Sequence, residues 1–265
     1  CDVTRPYPMR IVLPRVLEGL ASLRVTLFVA TGSHRACTPA ELAEMLGPDL
    51  AASVAVVQHD ARRPERHRRL GLLPDSGAPI EVEAGFLEQD LRLSLGLVEP
   101  HFFAGFSGGP KMVAPGLCSL ETILDLHSPE RIGHPRATWG VMEGNPVATA
   151  IRHAAALARA DFSVEVTQNR RRAITGVYAG LPATAHAAAS EKMSARRPRM
   201  ASKARRARSC RGCGWGCRSV VMVALPAAGA LQPERLEEVG PVDGDDLSRC
   251  DAGEHQHVAS ELGPL

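Results

Sequence analysis

The chain has 265 residues, 45% of them hydrophobic and 23% charged, with a formal net charge of +2. That length carries one or two domains with a real core, and no apolar run reaches the ~18 residues of a membrane-spanning helix. The near-neutral balance implies neither a membrane nor a nucleic-acid partner. Seven cysteines, at 1, 37, 118, 210, 213, 217 and 250, are odd in number and scattered through the first half. That usage suits reduced thiols in the cytoplasm better than a disulfide framework. The opening Cys1-Asp2-Val3 has no initiator Met and no leader pattern, so the chain reads as a fragment that starts mid-protein.

In chain order, residues 25–30 (VTLFVA) form a short apolar, β-branched run of the kind found in a buried parallel strand. The loop Thr31-Gly32-Ser33-His34-Arg35 follows it. Thr38-Pro39-Ala40-Glu41 is a capping box with Pro at the first helical position, and it opens a helix that stops near Gly47-Pro48. Residues 53–57 and 91–95 read as further strands, and the run 62–69 (RRPERHRR) reads as a solvated loop. Residues 119–126 and 146–159 read as helices, and 162–167 and 174–178 as strands. The alternation points to an α/β domain whose mostly parallel sheet is flanked by helices, over residues 1–188. Residues 189–265 have another texture. Nine Lys or Arg lie between 191 and 211, a Cys- and Gly-rich piece follows, and only 219–225 looks like a strand. This tail reads as a poorly structured extension, as out-of-frame translation of a GC-rich gene, or as an unrelated addition.

Residues 101–116 (HFFAGFSGGPKMVAPG) admit three readings. As a phosphate loop they fail the G-x-x-x-x-G-K-[ST] pattern, because Pro110 separates Gly109 from Lys111 and Met112 stands at the hydroxyl position. As a hydrolase, Gly105-Phe106-Ser107-Gly108-Gly109 matches G-x-S-x-G, with Asp125 and either His127 or His134 to complete a triad. However, six residues separate this elbow from its strand, and Asp125 and His127 share one helix. The third reading starts from His34 and His101. Both follow strands, both sit beside glycines and basic residues, and α/β folds place ligands at such loops. The residues alone reach an acid/base or metal site and leave it there.

Several motifs then line up in order: Asp2-Val3-Thr4-Arg5-Pro6, Thr31-Gly32-Ser33-His34-Arg35, His101 to Lys111 with Ser107-Gly108-Gly109 between them, Leu126-His127-Ser128, and Gly144-Asn145-Pro146. In these the chain resembles the nickel-pincer lactate racemase family over residues 1–188. The resemblance implies an isomerase, a racemase or epimerase of 2-hydroxy acids working by reversible hydride transfer. Its cofactor is a nickel-pincer nucleotide (pyridinium-3-thioamide-5-thiocarboxylic acid mononucleotide) made by dedicated synthesis enzymes. The resemblance assigns His34 and His101 as catalytic acid/bases, Lys111 as the cofactor tether and His127 as the nickel ligand. It gives Arg5 to the substrate carboxylate, Asp2 to Arg5 or the cofactor, and the amides of Gly32, Ser33, Gly108 and Gly109 to the cofactor's phosphate and ribose. Imidazole, with an unperturbed pKa of ~6.5, suits proton exchange near neutrality. One nitrogen donor beside a planar pincer suits square-planar nickel.

The family's second domain, with its Tyr-Gln pair and lysine, has no counterpart here: no Tyr follows Tyr178 and no Lys follows Lys203. Two competing readings remain, a serine hydrolase using Ser107 and a non-catalytic protein that is basic or binds zinc through Cys210, Cys213 and Cys217 with Cys250, His255 or His257. The remaining histidines, 59, 67, 134, 153 and 186, read as surface or structural.

Overall fold

The computed structural model describes residues 7–20, 23–195, 220–225 and 242–243, the last two segments as backbone. Asp2, Arg5 and the cysteines of the tail lie outside these residues. Helix α1 (Met9–Glu18) leads to β1 (Thr26–Ala30), α2 (Pro39–Leu46), α3 (Pro48–Ser53) and β2 (Ala55–Gln58). A hairpin of β3 (His67–Leu72) and β4 (Pro79–Glu83) follows, then α4 (Ala84–Leu87) and β5 (Leu91–Leu97). The ribbon β6 (Pro100–His101) and β7 (Gly105–Phe106) continues through a 3-10 turn at Gly109–Met112 into α5 (Leu120–Leu126) and α6 (Pro129–Ile132). The remainder comprises α7 (Pro146–Ala158), β8 (Phe162–Gln168), β9 (Ile174–Gly180), α8 (Pro182–Ala195), β10 (Val220–Leu225) and β11 (Val242–Asp243).

The main sheet has the order β11-β9-β8-β5-β10-β1-β2. β1 pairs with β2, and β5 with β8, in parallel; the other four pairings are antiparallel. The α/β class expected from the alternation is what the chain adopts. The mostly parallel sheet is corrected to a mixed one. Two features cause this: β8 turns directly into β9, and β10 inserts antiparallel between β1 and β5.

Strand alternation builds the layers. In β1, Leu27 and Val29 pack on one face with Met9, Val12 and Leu13 of α1 and Leu46 of α2. Phe28 and Ala30 pack on the other with Phe86, Leu117, Ile123 and the α7 residues Ala150, Ile151 and Ala154. Each face is thus buried under helices, and the strand reads as a continuous apolar run for that reason. The local signals at helix ends hold as well. Thr38 accepts from the Glu41 amide while the Glu41 carboxylate accepts from that of Thr38, and Asn145 caps α7 through the amides of Val147 and Ala148.

Two boundaries are corrected. The run 62–69 is not merely a solvated loop, because a 3-10 turn at Pro64–Arg66 leads straight into β3. The change of texture at 188 falls inside α8, which continues to Ala195. The strand expected at 219–225 is present as β10.

Candidate functional site

β1 and β5 are each antiparallel to β10, so they run the same way and end on one edge of the sheet. Their following loops, which carry His34 and the His101–Lys111 stretch, therefore emerge together. A hydrogen bond from the Gly32 amide to the Gly116 carbonyl (2.9 Å) ties one loop to the other.

The His101–Lys111 loop and the end of α5 converge on Phe103, which is buried. The His101 ring meets Phe103 edge-on with centroids 4.5 Å apart, and His127 does so at 5.2 Å. Lys111 Nζ stands 5.7 Å from the centroid of the same ring. His127 is placed by the end of α5, where its amide donates to the Ile123 carbonyl (3.1 Å). Burial first, then the charges of Lys111 and His34, push the His127 imidazole down to about 4. The ring is therefore neutral at physiological pH, the form in which imidazole ligates a metal. His34, His101, Lys111 and His127, separated by as many as 93 positions in the chain, thus occupy one neighbourhood.

His101 is buried, stacked on Phe102 (4.8 Å, 15°), and its Nδ1 accepts the amides of Ala104 (3.2 Å) and Phe103 (3.4 Å). In the neutral ring the proton therefore sits on Nε2.

The glycines need correction. The Gly32 amide is engaged by Gly116, and that of Gly109 donates to Glu165 Oε2 (3.0 Å), so neither is left for a phosphate. Their roles are steric. A Cβ on Gly108 would lie 2.5 Å from Glu165 Oε2, and one on Gly109 would lie 2.5 Å from the His186 ring. Both residues have positive φ, 73° and 50°. Gly108 and Ser33 stay as candidate phosphate donors.

The hydrolase reading does not survive the geometry. Ser107 Oγ donates to the Leu97 carbonyl (2.7 Å) and accepts the Glu99 amide (2.9 Å). His186 contacts the Ser107 carbonyl oxygen (3.0 Å) and not its hydroxyl. Asp125 is held by Arg131 (2.6 Å) and Ser76 (2.9 Å). Ser107 therefore fastens the loop.

Sequence reasoning missed Phe103, an ordinary apolar residue until the loop folds around it. It also missed Glu165, which is fully buried beneath the glycine pair. A signal existed, because FSVEVTQ places a carboxylate mid-strand in an otherwise buried run. Of the two competing non-racemase readings, the zinc-binding one rests on cysteines outside the described residues. Cys37 and Cys118, which are described, are buried.

Comparison with known proteins gives the family. A family model, the lactate racemase N-terminal domain, matches residues 1–140. The lactate racemase of Thermoanaerobacterium thermosaccharolyticum is 39% identical over 197 residues, which is 73% of this chain and 46% of that protein. The lactate racemase of Lactiplantibacillus plantarum is 37% identical over 189 residues, 70% of this chain and 44% of that one. The structure of the T. thermosaccharolyticum lactate racemase apoprotein superposes with a TM-score of 0.69 at 38% identity, over 71% of this chain and 46% of that chain. A Thermotoga maritima protein shares the fold, with a TM-score of 0.54 at 24% identity over 63% of this chain and 46% of its own. The chain spans just under half the length of these relatives. Among the described residues, no helix is long and apolar enough to cross a membrane.

Proposed function

Because this chain belongs to the lactate racemase N-terminal domain family, we propose that it carries the cofactor-holding and proton-handling part of a cytoplasmic 2-hydroxy-acid racemase or epimerase. The observation that supports this reading is the gathering of His101, Lys111 and His127 around Phe103, with His34 near enough for its charge to act on His127. The donor set fits a nickel-pincer nucleotide. It offers one primary amine for a covalent tether, one neutral imidazole for a metal, and two further imidazoles for protons. When bound, that group supplies a centre that takes hydride from the substrate's C2 carbon and returns it.

The remaining work belongs to the chain. Lys111 holds the cofactor through Nζ, and His127 ligates nickel through its neutral ring. His34, half-exposed on its loop, takes the hydroxyl proton of one enantiomer, and His101 serves the other. The two begin unequal. His101 starts with its proton on Nε2 and so presents a donor; accepting there requires a proton on Nδ1, at the expense of two long contacts with backbone amides. Arg5 receives the substrate carboxylate, for which a guanidinium fork is well shaped, and Asp2 orients Arg5 or meets the cofactor. Gly108 and Ser33 approach the cofactor's phosphate and ribose. The partners are a small 2-hydroxy acid and the enzymes that make the cofactor.

Intact mass of the chain produced with nickel and the cofactor-synthesis enzymes tests this. A covalent adduct that disappears in Lys111→Ala is the expected result. An unmodified Lys111, with Ser107 labelled by a fluorophosphonate, would return the hydrolase.

A further inference from the structure

We propose that His59, His67 and Glu83 form a second site, for a borderline divalent cation of the Zn2+, Co2+ and Ni2+ class, separate from the His127 centre. His59 follows β2 and is buried; His67 opens β3; Glu83 closes β4 and is also buried. His67 and Glu83 are direct cross-strand partners in the hairpin, which places their side chains side by side. The three ligand atoms all lie within 4.8 Å of one another.

The hydrogen bonds around the two imidazoles fix which nitrogens carry protons. Thr31 Oγ1 donates its hydrogen to the His59 carbonyl (2.8 Å), so toward His59 Nδ1 (3.3 Å) it can only accept. His67 Nδ1 faces the Arg63 carbonyl (2.8 Å), which also can only accept. Both rings are therefore protonated on Nδ1, and both Nε2 atoms carry a lone pair. Yet these two Nε2 atoms face each other at 3.0 Å. Two acceptors at that distance need a shared cation. With metal–nitrogen bonds of ~2.1 Å, two ligands at right angles stand ~3.0 Å apart, which matches this pair. Each ring also gives its other N–H to an oxygen, the arrangement that orients metal-bound histidines.

Glu83 supplies the third ligand. Arg66 Nε donates to its Oε1 (3.2 Å), but Oε2, although 3.0 Å from Arg66 Nη2, accepts no hydrogen bond within the described residues despite being buried. Two imidazoles and a carboxylate suit borderline divalent ions and leave positions open. A shared proton is the competing occupant, but one held between the two Nε2 atoms would leave Glu83 Oε2 without a partner, whereas a metal ion engages all three groups.

Co2+ is the probe, added to the metal-free full chain in a His127→Ala, Cys210→Ser, Cys213→Ser, Cys217→Ser, Cys250→Ser background so that the His127 centre and the tail cysteines do not contribute. One Co2+ per chain with visible d–d absorption is expected. His67 is half-exposed, so His67→Ala should fold, as circular dichroism will report, and lose that absorption; the near-isosteric Glu83→Gln should weaken it. Arg66→Gln removes a neighbouring cation and should tighten binding about tenfold. No Co2+ bound at millimolar concentration would leave a proton-bridged pair and overturn the proposal. So would a full Co2+ spectrum in both His67→Ala and Glu83→Gln.

Discussion

Glu165 is a carboxylate folded into a place where charge is expensive. It is fully buried, takes a bond from Ser163 Oγ on Oε1 and accepts the Gly109 amide on Oε2. Burial outweighs those two bonds and pushes its carboxyl up to about 7 from an ordinary 4.5. A raised acid favours the protonated fold. Its stabilising contribution is therefore complete below about 4.5 and is lost as pH rises through about 7. The melting temperature should fall across that window. Glu165→Gln keeps an acceptor for Gly109 and a bond to Ser163, whose hydroxyl turns to accept from the amide, but cannot ionise, so it should flatten the slope. Equal slopes in the two proteins would mean that Glu165 is charged throughout. Because Gly109 lies two residues before Lys111, the same variant should leave the mass adduct on Lys111 intact if only the proton, and not the loop geometry, has changed.

At the scale of elements, the corner between α5 and α6 carries His127, and a single buried guanidinium holds that corner. Arg131 donates to both carboxylate oxygens of Asp75, to Asp125 Oδ1 (2.6 Å), to the Asp125 carbonyl (3.1 Å) and to Ser76 Oγ (3.1 Å). Removing it strands Asp125, whose side chain is only 20% exposed. Arg131→Ala should cost about 3 kcal/mol in urea unfolding, and Arg131→Lys should recover only part, because one ammonium cannot span two carboxylates. A loss below about 1 kcal/mol would mean that packing alone sets the corner. Neither this network nor the β3–β4 hairpin was visible in the residue pattern. RRPERHRR looks solvated because its charges are paired by residues distant in the chain: Arg66 by Glu83 and Arg68 by Glu88. By contrast, the α2 capping box, the Asn145 cap and the apolar run of β1 depend on residues within a few positions, and they were legible. The four candidate residues were legible as motifs, but Phe103, the ring that His101, Lys111 and His127 share, was not, since nothing local separates it from Phe102.

For the whole molecule, the decisive element is β10. It lies between β1 and β5, with Ala224 opposite both Thr26 and Arg92, and Met222 opposite Phe28 and Ser94. The strands whose loops carry His34 and His101 are thus joined through a segment far along the chain, and the spacing of the two histidines should depend on it. A central strand cannot accept proline without losing ladder bonds to a neighbour. Val223→Pro should therefore destabilise the entire fold, by about 3 kcal/mol or more, rather than melt one edge. Native-state hydrogen exchange provides the sharper test. Amides of Val221 to Ala224 should be as protected as those of Leu27 and Val29 and should open with them in one cooperative unit. Fast exchange in β10 beside slow exchange in β1 would show that β1 and β5 hold their positions without it, and that the site's geometry comes from the helices packed on either face.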